Sequence, residues 1–141
     1  MKLSVRLLLC LLPALLWALL ILILCLMPGK NLPHAGWLEA IHADKIVHFG
    51  LFFVLNLLLL GGWYYPAGKR TSRNPGLSFA AGTTLCFAYG WLIEFLQRWL
   101  TTDRMFEWQD AAADSAGALV AVLCFQRWVH RHPLIIKKNK P

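Results

Sequence analysis

The stretch LLLCLLPALLWALLILILCLM, residues 7–27, decides the fold of this chain. It contains no charged residue and is long enough to cross the roughly 30 Å hydrocarbon core of a bilayer as one α-helix. It is also longer than the apolar part of a secretory signal and lacks a small-residue cleavage site, so we predict that it is retained. The chain is therefore expected to be an integral membrane protein.

The composition of the whole chain agrees with this prediction. Of its 141 residues, 58% are hydrophobic and only 15% are charged, whereas soluble domains contain about 25% charged residues. The net charge of +7 comes from basic residues in short segments between apolar stretches, a pattern typical of membrane topology rather than of nucleic-acid binding. The four cysteines lie within apolar stretches without C-x-x-C spacing, so we expect neither disulfides nor a zinc site.

Three further apolar stretches complete the predicted architecture. They cover about residues 46–65, 77–98 and 111–129, and a basic tail follows at 130–141. Asp114 shortens the uncharged part of the last stretch. The predicted fold is all-α, a bundle of four transmembrane helices that forms a single membrane domain over residues 1–141.

The distribution of Lys and Arg predicts the orientation, because cytoplasmic segments carry an excess of both. Ten of the fourteen lie before the first span, between the second and third, or at the C-terminal end: Lys2, Arg6, Lys69, Arg70, Arg73, Arg127, Arg131, Lys137, Lys138 and Lys140. The other two loops carry Lys30, Lys45, Arg98 and Arg104. We therefore predict an inner (plasma) membrane protein with both termini in the cytoplasm and the tail resting on anionic lipid.

Polar side chains gather at the outward ends of these spans and form the predicted binding site, which comprises Asp44, His48, Glu94, Gln97, Arg104, Asp110 and Asp114. A charged side chain at the middle of a membrane helix costs about 2.5–3.5 kcal/mol on insertion scales, so such residues usually serve a site. Helical periodicity places Asp44 beside His48 and Asp110 beside Asp114. Stripes of small residues predict that the third and fourth spans pack directly: Gly82, Cys86 and Gly90 on one, Gly117, Ala118 and Ala121 on the other.

Several roles for this cluster stay open. The carboxylates could pair with Arg98 or Arg104 and hold the bundle together. Acid–base catalysis could use His48, oriented by Asp44, together with Glu94. A metal site could use Asp44, His48, Glu94 and Asp114. The spacing shows no diagnostic ligand pattern, however, and we expect neither a metal nor a cofactor.

Two nearby residues receive other interpretations. Lys45 is predicted to extend its ammonium group to the lipid headgroups. Asn56, about two helical turns deeper than His48, is predicted to hydrogen-bond between helices. A transporter would need a polar path that continues past Asn56, and the first and third spans offer none at that depth.

At these residues the chain resembles the VanZ-like family of small membrane proteins. The matching pieces are, in order, Pro28-Gly29-x-x-Leu32-Pro33, Asp44-Lys45-x-x-His48, Glu94-x-x-Gln97, Arg104-x-Phe106-x-x-x-Asp110 and Asp114-x-x-Gly117. Family members usually have Asn where Asp114 stands. The resemblance implies an accessory role in resistance to lipoglycopeptides such as teicoplanin, without alteration of the peptidoglycan target, and it implies no established reaction.

We therefore expect an outward-facing site for a lipid-linked or amphiphilic component of the cell envelope, with glycopeptide tolerance as one outcome. The alternative is a membrane-embedded lipid-modifying enzyme in which His48 and Glu94 act as acid and base. The expected partners are membrane lipids or a lipid-linked component, and association with a second copy or with another membrane protein stays open.

Overall fold

A computed structural model describes residues 3–27, 43–64, 75–102 and 105–131. This part of the chain contains four α-helices: α1 (Leu3–Leu26), α2 (Ala43–Tyr64), α3 (Pro75–Leu100) and α4 (Trp108–Arg131). The predicted all-α class is confirmed, and each helix covers most of one predicted span. Pro75 opens α3, a position where the missing N–H of proline costs no hydrogen bond. Residues 132–141 of the predicted basic tail lie outside the described part.

Three of the four helices are suited to cross a membrane. Within the described residues, the segments long and apolar enough are Val5–Leu26, Ala43–Tyr64 and Phe79–Leu100. Helix α4 differs because Asp110 and Asp114 lie in its first two turns and Gln126 and Arg127 near its end. Both aspartates are buried against other helices. Two of the polar side chains of α4, Asp110 and Asp114, therefore lie inside the protein.

The helices alternate in direction. Helices α1 and α3 run parallel, because the Tyr89 hydroxyl donates to the Ala18 carbonyl at 2.7 Å and the Gln97 amide donates to the Cys25 carbonyl at 3.0 Å. Helices α2 and α4 run in the opposite direction. The ring of Phe125, late in α4, contacts Tyr64 at the end of α2 and Phe79 near the start of α3. The other end of the bundle, where α1 and α3 end and α2 and α4 begin, is called the polar end below.

Apolar side chains fill the interior and cover much of the outside. The core contains Ile21 of α1, Phe52 of α2 and Cys86 and Ile93 of α3, together with Ala118 of α4. Helix α1 exposes a series of large hydrophobic residues along its length, among them Leu8, Leu12, Leu16, Leu19 and Ile23. Lipid tails are the expected neighbours of such a surface.

Glycines set how closely the helices approach one another. A Cβ atom at Gly117 of α4 would overlap the Phe49 carbonyl oxygen of α2 and come within 3.1 Å of the Phe53 nitrogen. Gly82 of α3 also faces α2, because a Cβ atom there would lie 3.1 Å from Asn56 Oδ1, whereas Gly90 faces Asp114 of α4. The predicted contact between α3 and α4 through both stripes is therefore right at Gly90 and wrong at Gly82 and Gly117.

The prediction for Asn56 is confirmed. Its amide donates to the Ala118 carbonyl of α4 at 2.8 Å and to the Thr83 hydroxyl of α3 at 3.3 Å. The Thr83 hydroxyl in turn donates to the Phe79 carbonyl, one turn earlier in α3, at 2.9 Å. Asn56 therefore joins three helices through hydrogen bonds.

Candidate functional site

The polar end brings together side chains from α2, α3 and α4. Asp44, Lys45 and His48 lie in the first two turns of α2, and Asp110 and Asp114 lie in the first two turns of α4. Glu94 lies about 9 Å before the end of α3, at 1.5 Å per residue. These residues, together with Glu107 just before α4, are called the acidic cluster.

His48 and Asp114 form the buried centre of the cluster. His48 Nδ1 lies 3.0 Å from Asp114 Oδ1, and the two residues are only 5% and 1% exposed. His48 Nε2 lies 3.9 Å from Asp110 Oδ2, one helical turn before Asp114. Asp114 therefore holds one edge of the imidazole, and the other edge faces Asp110 without a short hydrogen bond.

This pairing corrects the predicted orientation of His48 by Asp44. The side chain of Asp44 is about half exposed and bonds to its neighbour Lys45 at 2.6 Å. Asp44 lies in the first turn of α2, where water can reach it, whereas His48 lies one turn deeper and faces α4. The buried imidazole therefore takes its carboxylate partner from the other helix.

Lys45 bonds to three carboxylates. Its Nζ lies 2.6 Å from Asp44 Oδ2, 3.0 Å from Glu107 Oε2 and 2.9 Å from Asp110 Oδ1. Its side chain is only 20% exposed. The predicted extension of Lys45 to the lipid headgroups is therefore wrong, because the ammonium group is held among oxygens of its own chain and links α2 to the start of α4.

Glu94 is the most enclosed carboxylate of the cluster. It is fully buried, and its Oε2 accepts a hydrogen bond from the Glu107 backbone N–H at 3.0 Å. Its Oε1 is also buried and has no hydrogen-bond partner among the described residues. Asp114 Oδ2 is in the same condition, packed where a side chain at Gly90 would stand. Buried carboxylate oxygens are costly when they lack a donor or a cation.

Gln97 and Arg98 do not join this cluster. The Gln97 amide donates to the Cys25 carbonyl in the last turn of α1. Gln97 therefore binds α1 to α3. Arg98 is exposed and forms no ion pair with the described residues, so the predicted Arg98 partner for the carboxylates is not observed. Arg104 lies outside the described part of the chain.

Two members of the cluster, Glu107 and Lys45, were not predicted. Glu107 precedes α4, and its carbonyl accepts the backbone N–H groups of Asp110 and Ala111. An acidic side chain at a helix N-terminus is favourable, and this preference is the sequence signal that could have indicated Glu107. Phe106 holds the segment in place because its ring contacts Trp91 and Phe95 of α3, with centroids 5.7 and 5.5 Å away.

The cluster is strongly acidic. Within the described residues it contains five carboxylates and one lysine, with His48 as the only further basic group. Two groups of donor atoms lie close enough to share a cation: His48, Glu94 and Asp110, all buried, and Asp44, Glu107 and Asp110, of which the first two are exposed. Lys45 already bonds to all three residues of the second group. Only the first group contains residues that do not bond to the Lys45 ammonium group, namely His48 and Glu94.

The comparisons with known proteins identify a family. A family model described as VanZ/LLP1 matches residues 12–130. The matched range contains every described member of the acidic cluster, from Asp44 to Asp114. Neither a curated protein nor a solved structure matches the chain.

Proposed function

The chain belongs to the VanZ/LLP1 family, and from this and the acidic cluster we propose that it binds a lipid-linked or amphiphilic component of the cell envelope. We propose further that all four helices cross the inner membrane, with the polar end outward and both termini in the cytoplasm. Helix α4 has 24 residues, which corresponds to about 36 Å and exceeds the hydrocarbon thickness. Its buried aspartates support a fourth span, because they face other helices rather than lipid.

A reporter fusion tests the orientation. Alkaline phosphatase fused after Pro141 should be inactive and green fluorescent protein at the same position should fluoresce, because the basic C-terminal end is proposed to stay in the cytoplasm. Alkaline phosphatase inserted after Gly36, in the first proposed outer loop, is the positive control and should be active. An active phosphatase after Pro141 would place the cluster on the cytoplasmic side and overturn the proposed topology.

The proposed binding role depends mainly on the buried environment of Glu94. A fully buried carboxylate with an unpartnered oxygen contributes little to stability, because its desolvation is not offset by a counter-ion. Ionisable residues at membrane depth usually mark a pathway or a binding site. An external group that pairs with this oxygen would satisfy it, which supports a ligand at the cluster.

The surroundings of the cluster support an amphiphile as that ligand. Large hydrophobic side chains are exposed around the polar end, among them Trp99, Leu100, Met105 and Trp108. Tryptophan is enriched at the boundary between hydrocarbon and headgroups. A molecule with an apolar chain and a polar head would contact the rim through the chain and the acidic cluster through the head.

One observation favours the second candidate, a lipid-modifying enzyme. Asp114 holds His48 Nδ1 at 3.0 Å while Nε2 points toward Asp110 and Glu94 lies in the same group. A carboxylate that fixes one ring nitrogen and leaves the other available is the arrangement that orients a general base. In this candidate, His48 takes a proton from a hydroxyl group or water and Glu94 supplies one.

Expression in a teicoplanin-susceptible host separates the two candidates. We expect the wild-type chain to raise the inhibitory concentration of teicoplanin and Glu94→Gln and His48→Ala to abolish the increase, while mass analysis finds identical membrane lipids in all strains. Arg98→Gln is the matched control, since it removes an exposed charge one turn from Glu94 and should keep the phenotype. A lipid that the wild-type chain changes and both cluster variants leave unchanged would replace binding by catalysis.

A further inference from the structure

The structure assigns a divalent cation to His48, Glu94 and Asp110, and this inference rests on the proposed binding function because the ion would recognise the ligand. One donor atom from each of the three residues lies within 4.8 Å of the other two. An ion that binds about 2.0–2.6 Å from its ligands can be shared by donor atoms up to about 4–5 Å apart. All three side chains are buried, which distinguishes the group from carboxylates that merely face water.

The unpartnered oxygen of Glu94 is a second indication of an ion, independent of that spacing. Glu94 is 0% exposed, its Oε2 receives one backbone N–H, and its Oε1 has no donor within the part of the chain that the structure describes. Lys45 does not reach it, because the ammonium group is already bonded to Asp44, Glu107 and Asp110. A cation between Glu94 and its neighbours would supply the missing partner.

The hydrogen bonds of the other two residues leave the required atoms available. Asp110 uses Oδ1 for Lys45, so Oδ2, the oxygen that faces His48, is left for an ion. His48 is held at Nδ1 by Asp114, and in the tautomer that donates this bond Nε2 presents its lone pair. Metal-binding histidines almost always donate a hydrogen bond from the N–H of their second ring nitrogen to a carboxylate or carbonyl, which fixes the ring and raises its basicity.

The donor types select the ion. One imidazole nitrogen and two carboxylate oxygens, without a thiolate, suit Zn²⁺ or Mn²⁺ better than the all-oxygen ions Mg²⁺ and Ca²⁺. Three protein ligands leave at least one position open for an external group. No metal was predicted from the sequence, where the ligands considered were Asp44, His48, Glu94 and Asp114, without Asp110.

The ion would also decide which amphiphile binds. Without it, a cluster of five carboxylates repels an anionic head and attracts a cationic one. A bound divalent ion would offset the negative charges of Glu94 and Asp110 and offer its open position to an oxygen anion. We therefore assign a phosphate-type head to the ligand, bound through the metal.

Titration of the full-length protein in maltoside micelles tests the metal site. After treatment with a chelator, Zn²⁺ and Mn²⁺ are added in separate calorimetric titrations. We expect each chain to bind one ion with high affinity, called the tight class. Glu94→Gln and Asp110→Asn should each weaken it at least about tenfold. Glu107→Gln, whose carboxylate bonds only to Lys45, should change the affinity less than about threefold. No tight class in the wild type, or a Glu107→Gln loss equal to that of Glu94→Gln, would overturn the assignment.

Two readouts keep the result interpretable. Gel filtration and circular dichroism confirm that each variant is folded, and in the wild type added metal should raise the thermal transition, an increase that Glu94→Gln removes. The same measurements are made on His48→Ala and on Glu94→Gln. If every variant aggregates, the electron-spin-resonance spectrum of Mn²⁺ bound to the wild type decides alone. A nitrogen coupling supports the site, and its absence overturns it.

Dodecyl phosphate and dodecyltrimethylammonium distinguish failure of the metal inference from failure of the proposed function. We expect the wild type to bind dodecyl phosphate with Zn²⁺ present and to lose at least about tenfold in affinity with EDTA. Equal binding of dodecyl phosphate in EDTA, or binding of the ammonium probe alone, would overturn the inference that a metal binds the ligand. The proposed amphiphile site would then still hold. Tight Zn²⁺ binding without either probe keeps the metal site and removes the proposed function.

Discussion

Replacing Asp114 with Ala is expected to lower the free energy of unfolding by about 3–5 kcal/mol, the usual effect of removing one partner from a buried pair. His48 is 5% exposed and has Asp114 Oδ1 as its short partner at 3.0 Å. Removal of the carboxylate leaves the Nδ1 edge of the imidazole buried without an acceptor. It also opens a space beside Gly90, whose backbone lies against Asp114.

Asp114→Asn is the matched variant. The asparagine carbonyl oxygen can still accept from His48 Nδ1, so the expected loss is less than about 1.5 kcal/mol, within the range of one hydrogen bond. The resemblance to the VanZ-like family points the same way, since its members usually have Asn at this position. The amide removes one negative charge from the acidic cluster and leaves the packing volume nearly unchanged.

Unfolding by dodecyl sulfate in mixed micelles, followed by fluorescence of the seven tryptophans and performed in EDTA, measures both variants without a contribution from metal. The double variant His48→Ala with Asp114→Ala should lose less than the sum of the two single variants, because each single change strands the same partner. Equal losses for Asp114→Ala and Asp114→Asn would show that the carboxylate charge, and not the hydrogen bond to His48, stabilises the bundle.

Much of the helical architecture could be predicted from the sequence, because the requirement to cross hydrocarbon acts on one helix at a time. An uncharged run such as residues 7–27 has few alternatives to a long helix, since its backbone groups must be satisfied internally. The fourth helix is harder to assign from its hydropathy. Asp110 and Asp114 reduce its apolar character, and only the three-dimensional structure shows that both are buried against other helices.

The choice of partner helix could not be predicted in the same way. A stripe of small residues shows that something approaches closely, and it does not show what approaches. Gly82 and Gly90 lie on one stripe of α3, yet Gly82 contacts α2 and Gly90 contacts α4. The stripe is shared because two helices cross α3 at different heights.

The same limit explains the errors in the acidic cluster. Asp44 is four residues from His48, but Asp114 of another helix competes for the same imidazole and lies where water is absent. Gln97 belongs to the same sequence motif as Glu94 and instead binds the end of α1. Glu107 was not predicted because it precedes the span, and its contact with Glu94 depends on the packing of Phe106 against α3.

The second large effect is expected at Gly117, where Ala should destabilise the protein by about 1–3 kcal/mol or more, the range for overpacking a close contact. A Cβ atom there would overlap the Phe49 carbonyl oxygen and lie 3.0 Å from the Phe49 carbonyl carbon and 3.1 Å from the Phe53 nitrogen. These are backbone atoms of α2, so no side-chain rotation relieves the overlap. Helix α4 must move away from α2 as a body.

Gly50→Ala is the control, because nothing lies within 4 Å of a Cβ atom at Gly50. It lies on the same helix as Phe49, and Ala there should stabilise α2 by up to about 1 kcal/mol through helix propensity. The two variants add the same methyl group and differ only in what it meets. Dodecyl sulfate unfolding compares them directly, and equal stabilities would contradict the close approach of α2 and α4.

The consequence of Gly117→Ala reaches the acidic cluster as well. Asp114 lies one helical turn before Gly117, so a shift of α4 lengthens the 3.0 Å contact with His48 and moves Asp110 away from Glu94. We expect Gly117→Ala to weaken Zn²⁺ binding at least about tenfold although it alters no ligand, because metal affinity depends on how the ligands are positioned. Unchanged Zn²⁺ affinity in a destabilised Gly117→Ala protein would show that the cluster does not depend on the contact between α2 and α4.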